Sequence, residues 1–139
     1  MPMSQPPVPP MKNQEGSEWV KFLRGFTYAA SGLWHALRTQ RNVRVHLVIA
    51  VVAILVGIFL HISPLEFAII FVAFVGVFVS EMFNTVIELC VDLASPEYHP
   101  LAKIAKDVAA GAVLLNAILA VIIGLFIFGP HLLALLRGG

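Results

Sequence analysis

The sequence predicts an all-α membrane protein, with an amphipathic surface helix at the N-terminus followed by three transmembrane helices. Hydrophobic residues make up 59% of the 139 residues and charged residues only 12%. Soluble domains carry roughly 25% charged residues, so the composition excludes an ordinary soluble domain. The apolar residues are gathered into three long runs, and each run is long enough to cross a hydrocarbon core about 30 Å thick.

Residues 18–38 form the predicted surface helix. Its apolar side chains recur at steps of three and four residues, as expected for a helix with one apolar face. They are Trp19, Phe22, Leu23, Phe26, Ala30, Leu33, Trp34 and Leu37. Basic side chains lie on the other face, which suits the headgroup plane of a membrane. Residues 1–16, with five prolines, are expected to form a disordered tail.

The first two spans are predicted at about 43–62 and 65–91. Between them, Ser63 suits the N-cap of the second helix and Pro64 suits its first position. A second helix of this length exceeds the bilayer, so its last turns should emerge into water.

The third span is predicted at about 106–128, beginning near Lys103 or Lys106. Gly129–Pro130 is expected to end it, because proline cannot continue the hydrogen-bonding of a helix. Residues 131–139 would then form a short C-terminal tail.

The distribution of cations predicts the orientation in the membrane. With three spans, the N-terminal region and the connection after the second span lie on the same side. That side carries Lys12, Lys21, Arg24, Arg38, Arg41, Arg44, Lys103 and Lys106. The other side carries only Arg137. Because cationic loops stay inside, the N-terminus is predicted to be cytoplasmic and the C-terminus outside.

A stripe of polar residues follows the apolar part of the second span. Glu81, Asn84, Glu88 and Asp92 fall within an arc of roughly 80° on a helix with about 100° per residue. A carboxylate deep in a bilayer costs about 2.5 to 3.5 kcal/mol on insertion scales. The stripe should therefore face other protein, a cation or a water-filled cleft. For Asp92, solvation among the headgroups is an equal alternative.

Cations and a further carboxylate lie close to this stripe in the predicted topology. Arg38, Arg41 and Arg44 precede the first span, and Lys103, Lys106 and Asp107 open the third. Carboxylates beside cations at a membrane edge suit magnesium and phosphate. The sequence contains no GxxxxGK(S/T), GxGxxG or HExxH motif, and its single cysteine, Cys90, excludes an internal disulfide.

The segments "EMFNTVIELCVD" and "EYHPLAKIAKDVAAGAVLL" resemble the bacterial integral-membrane diacylglycerol kinase and undecaprenol kinase family. The matching motif residues are Glu81, Asn84, Thr85, Glu88, Asp92, His99, Lys106 and Asp107. The likeness covers about residues 18–130. Within the family, "RNVRVH" and "HPLAKIAKD" look more like the undecaprenol-kinase branch.

The resemblance implies a lipid kinase of the bacterial plasma membrane that uses ATP and Mg²⁺ and has no nucleic-acid partner. It implies a homotrimer whose active sites are shared between subunits. Either undecaprenol, which is favoured, or diacylglycerol would be the acceptor.

The resemblance also implies roles for single residues. Glu81 would be the general base and Glu88 a magnesium ligand, while Asn84 and Asp92 would position substrate or phosphate. The nucleotide site would use Lys106, Asp107, His99, Tyr28 and Lys21.

Residue 40 departs from the family pattern. Many members carry a glutamate before the segment that matches "RNVRVH", and this glutamate shares the metal; here the residue is Gln40. An amide oxygen can still bind magnesium, but more weakly than a carboxylate. Either Gln40 binds the metal with lower affinity, or the geometry of the metal site differs, or activity is reduced.

Two other classes of function are alternatives on the residues alone. A cation-coupled carrier would use Glu81 and Glu88, although the stripe lies at one end and the other two spans have no acidic residue in their apolar cores. A structural membrane protein would use the polar residues only to hold helices together. For Asn116 alone, this last interpretation is preferred.

Overall fold

The structure, a computed structural model, describes residues 17–138, so the predicted tail at 1–16 lies outside the described residues. Four helices make up the described chain: α1 (Glu18–Thr39), α2 (Arg41–Phe59), α3 (Pro64–Ala94) and α4 (Pro100–Leu136). The last three are long and apolar enough to cross a membrane. The prediction of an all-α protein with three membrane spans is confirmed.

The chain divides into two compact units, with the boundary between Trp34 and His35. In the first unit, one face of α1 carries a row of aromatic rings in contact with one another. The rings of Trp19 and Phe22 lie 6.1 Å apart and those of Phe22 and Phe26 lie 5.1 Å apart, both edge to face. All three rings are exposed, so α1 presents a continuous aromatic face.

In the second unit, a short turn reverses the chain between α2 and α3. The Ser63 hydroxyl accepts a hydrogen bond from the Glu66 amide at 3.3 Å, and the Ser63 amide donates to the Glu66 carboxylate at 2.7 Å. This reciprocal capping box satisfies two amides at the start of α3. The predicted cap at Ser63 and the placement of Pro64 in the first turn are confirmed.

The turn between α2 and α3 brings backbone and side-chain atoms into close contact with Gly57. The Ile62 amide donates to the Gly57 carbonyl at 3.1 Å, and His61 has a positive φ of 52°. These contacts end α2 at Phe59, three residues before the predicted end of the span. Ile62 is buried with Ile70 of α3 and Ile127 of α4, which fixes the three helices together at this end.

Within this unit, α3 makes its most extensive contact with α4 and a smaller one with α2. The contacts at the two ends of α3 show that it runs opposite to both α2 and α4. The start of α2, the C-terminal half of α3 and the start of α4 therefore lie at one end, called here the polar end. The turn between α2 and α3 lies at the opposite end with the end of α4.

The bounds of α4 correct two expectations. The helix begins at Pro100, capped by His99, rather than near Lys103 or Lys106. It also continues through Pro130 to Leu136, so the prediction that Gly129–Pro130 ends the span is wrong. In an apolar environment, irregular backbone would leave several polar groups unpaired, which costs more than the single hydrogen bond that a proline removes.

We predict that Gly57→Val destabilises the protein. A Cβ atom at Gly57 would lie 2.8 Å from Ile62 Cδ1 and 2.9 Å from Phe67 Cε1, and such overpacking costs about 1–3 kcal/mol. Gly111→Val is the matched control, since a Cβ there meets no atom within 4 Å. Thermal unfolding in detergent should show a lower midpoint for Gly57→Val than for Gly111→Val. Equal midpoints would contradict the packing described here.

Candidate active site

The polar stripe of α3 passes from a buried to an exposed environment along the helix. Only 3% of Glu81 and 8% of Thr85 are exposed. Asn84 and Glu88 are half-buried, and Asp92 is exposed. The stripe therefore runs from the interior of the unit to the surface of the polar end.

The buried carboxylate of Glu81 faces the neighbouring helix α2. His46 Nε2 lies 3.4 Å from Glu81 Oε1, and Thr85 donates its hydroxyl proton to the Glu81 backbone carbonyl at 3.0 Å. Among the described residues, Glu81 Oε1 accepts no hydrogen bond. Sequence reasoning missed His46. Its signal was available, because a titratable side chain in an apolar span usually pairs with another polar group.

The next two residues of the stripe are paired with each other. Asn84 Nδ2 donates to Glu88 Oε1 at 3.1 Å, one helical turn away. Asn84 Oδ1 is buried and, within residues 17–138, has no hydrogen-bond partner. Asn84 thus orients Glu88 directly, and its role in positioning substrate or phosphate remains a prediction.

Asp92 forms an ion pair with Lys106 between α3 and α4. Asp92 Oδ1 lies 2.6 Å from Lys106 Nζ. Beside this pair is an open cavity of about 450 Å³ that is rich in charged and polar side chains. The lining includes Asp92, Glu97, Tyr98, His99, Lys103, Lys106 and Asp107. The structure therefore brings together four of the predicted positions: Asp92, His99, Lys106 and Asp107.

The start of α4 forms one wall of this cavity. His99 Nδ1 accepts a hydrogen bond from the Leu101 amide at 3.2 Å, which caps the helix. Lys103 pairs with Asp107 on the next turn. A helix N-terminus carries partial positive charge, and this wall adds two lysines, each of which is paired with a carboxylate.

Gln40 lies at the N-cap of α2, where its side chain makes no capping hydrogen bond. No hydrogen bond joins it to Glu88 in the part of the chain that the structure describes. The same residues contain no group of three or more His, Cys, Asp and Glu side chains that could hold a metal ion. The roles of Glu88 and Gln40 as metal ligands remain predictions.

Lys21 and Tyr28 belong to the first unit. Lys21 Nζ pairs with Glu18 at 2.8 Å, and Tyr28 is exposed. Their assignment to a nucleotide site remains a prediction.

These features define a class of protein: a helical membrane protein with a buried carboxylate and a cavity lined by charged side chains at the same end. The family model described as prokaryotic diacylglycerol kinase matches residues 27–128. The chain belongs to this family and is a lipid kinase, which confirms the predicted class of enzyme.

Curated relatives agree with the family model. The chain is 43% identical over 116 residues to the undecaprenol kinase of Bacillus subtilis, covering 84% of this chain and 94% of that protein. It is 41% identical over 128 residues to a diacylglycerol kinase of Synechocystis, covering 91% of this chain and 73% of that protein. A diacylglycerol kinase of Helicobacter pylori is 31% identical over 133 residues, covering 96% of this chain and 98% of that protein.

Proposed function

We propose that the chain transfers the γ-phosphoryl group of ATP, with Mg²⁺, to the hydroxyl group of undecaprenol or diacylglycerol. The observation that carries this proposal is the cavity at the start of α4, lined by Lys103 and Lys106 and lying beside Asp92. Helix N-termini and lysine ammonium groups are recurrent binding elements for phosphate. The cavity volume of about 450 Å³ is within the range of small-molecule sites.

Glu81 is the proposed general base. In the reaction, the lipid hydroxyl oxygen forms a bond to the γ-phosphorus while the bond from that phosphorus to the ADP oxygen breaks. The hydroxyl proton passes to the Glu81 carboxylate. Phosphoryl transfer depends mainly on positioning and on neutralising charge, so one buried base and a few cations are sufficient.

Glu88 and Gln40 are the proposed protein ligands of Mg²⁺. Mg²⁺ is usually held by one or two protein oxygens together with substrate phosphates. The described donors fit this pattern, because Asn84 holds one oxygen of Glu88 and the Gln40 side chain makes no capping contact. Held there, Mg²⁺ would supply positive charge that offsets the negative charge of the phosphate groups.

Undecaprenol is the favoured acceptor. The motifs "RNVRVH" and "HPLAKIAKD" look like the undecaprenol-kinase branch, and the Bacillus subtilis relative at 43% identity carries that name. Diacylglycerol presents the same chemistry, since each lipid offers one hydroxyl group above a long apolar body.

A homotrimer is proposed as the working assembly. An open groove of about 720 Å³ between α3 and α4 is mostly apolar but includes Ser80, Asn84 and Asn116. Small residues, among them Gly76, Ala109 and Ala112, line the same groove. Small and polar residues favour helix packing in membranes, so a helix from another subunit would suit this surface better than lipid.

The polar end is proposed to face the cytoplasm of a bacterium, at its plasma membrane. The cation distribution supports this orientation, and ATP would then reach the cavity directly. The aromatic face of α1 would lie in the headgroup region.

The proposed function is tested with purified protein in mixed lipid–detergent micelles. Labelled ATP should transfer phosphate to undecaprenol and, more slowly, to diacylglycerol. Glu81→Gln should lower the rate about 10²- to 10⁴-fold through loss of the base. Glu66→Gln is the matched control, because glutamine can maintain the capping box at the other end of α3. A parent protein inactive on both lipids would overturn the proposal.

We predict that Gln40 sets the magnesium requirement. A charge-assisted contact is worth about 1.5 to 3 kcal/mol, so Gln40→Glu should lower the half-maximal magnesium concentration roughly tenfold or more. Gln40→Ala should raise it, and Glu88→Gln should nearly abolish activity. The measurement is kinase rate against magnesium concentration for the four proteins. If both Gln40 variants match the parent, Gln40 is not a ligand.

The orientation predicts where a fused reporter is active. A reporter that works only outside the plasma membrane should be active after Gly139 and inactive when inserted after Glu97. The reverse pattern would contradict the proposed orientation and remove direct access of the cavity to ATP.

A further inference from the structure

A carboxylate oxygen of Glu81 is buried without a hydrogen-bond donor among the described residues. Glu81 is 3% exposed, and within the described residues its Oε1 accepts no hydrogen bond. A buried carboxylate is costly unless a donor or a positive charge compensates it. The polar side chain nearest to Glu81 Oε1 therefore determines how the carboxylate is held.

His46 is this nearest polar side chain. Its Nε2 lies 3.4 Å from Glu81 Oε1, and only 20% of its side chain is exposed. The two residues come from different helices, so the contact fixes α2 against α3. His46 also lines an apolar cleft of about 240 Å³ with Val77 and Phe128. With little water near the pair, a hydrogen bond there is stronger than in solvent.

We propose that His46 is a positioning residue for Glu81, an inference that rests on the proposed lipid kinase function. In the tautomer that carries its proton on Nε2, the ring donates to Glu81 Oε1. This contact holds the carboxylate in one orientation and leaves Oε2 to accept the proton of the lipid hydroxyl. A separation of 3.4 Å is longer than an optimal hydrogen bond, and catalytic contacts commonly shorten once substrate is bound.

A purely structural role for His46 and a positioning role predict different effects of substitution on kcat. If His46 only joined two helices, a side chain of similar size without a donor would preserve turnover once the protein is folded. If His46 acts through Glu81, loss of the donor should lower kcat while KM for the lipid stays nearly constant. The position of the donor atom should also matter.

The test compares three variants at one position. A glutamine amide can place its nitrogen near the position of Nε2, whereas an asparagine amide reaches only to the position of Nδ1, and leucine has no donor. His46→Leu and His46→Asn should lower kcat about tenfold to a hundredfold, as expected for losing a hydrogen bond to a charged group. His46→Gln should recover most of the turnover. Gel filtration and thermal unfolding in detergent select variants that fold like the parent.

A second measurement keeps the proposal falsifiable if one variant folds poorly. In a Glu81→Gln background, His46→Leu should change the residual rate less than twofold, because a residue that acts through Glu81 loses its effect there. The proposal is overturned if His46→Leu keeps the parent kcat, if His46→Gln is as slow as His46→Leu, or if the effect persists in Glu81→Gln. An inactive parent protein would instead overturn the proposed function.

Discussion

The cost of placing carboxylates near hydrocarbon governs the arrangement of the polar end. The three acidic side chains of the α3 stripe face different neighbours at different depths. The buried Glu81 faces a histidine, the half-buried Glu88 is held by an amide, and the exposed Asp92 pairs with a full cation. An uncompensated charge becomes more costly with depth. The same pairings fix the positions of α2 and α4 around α3, so the requirement for partners also builds the site.

Rigid helices, rather than loops, carry nearly all of these groups. With 31 residues, α3 is roughly 46 Å long by helical rise and so exceeds a hydrocarbon core of about 30 Å. The excess allows Glu88 and Asp92 to remain helical while standing clear of the apolar region. The first turns of α4 supply the opposing cations in the same way. Groups held on such elements are positioned more precisely than groups on mobile segments.

Much of this organisation could be predicted from the sequence, because it depends on local pattern. The three spans, the cap at Ser63 and the polar stripe follow from hydropathy, propensity and helical period. The position of His46 in an apolar span indicates that it has a polar partner, but the identity of that partner as Glu81 could not be predicted, since α2 is apolar on nearly all sides and its rotation is set only by packing. The continuation of α4 through Pro130 was also missed. Rules for helix ends describe helices in water, where a broken backbone can bond to solvent.

The unequal contacts of α3 with α2 and α4 predict the order in which these helices pack during folding. The connection from Ser95 to His99 is short, and α3 packs more extensively on α4 than on α2. The connection between α2 and α3 is also short, so the entropy of loop closure does not separate the two neighbours. The larger contact with α4 should make the α3–α4 hairpin form first and bring Asp92 to Lys106. Glu81 acquires its neighbour only when α2 docks. The charged cavity would thus exist earlier in folding than the environment of Glu81, and docking of α2 would complete the polar end.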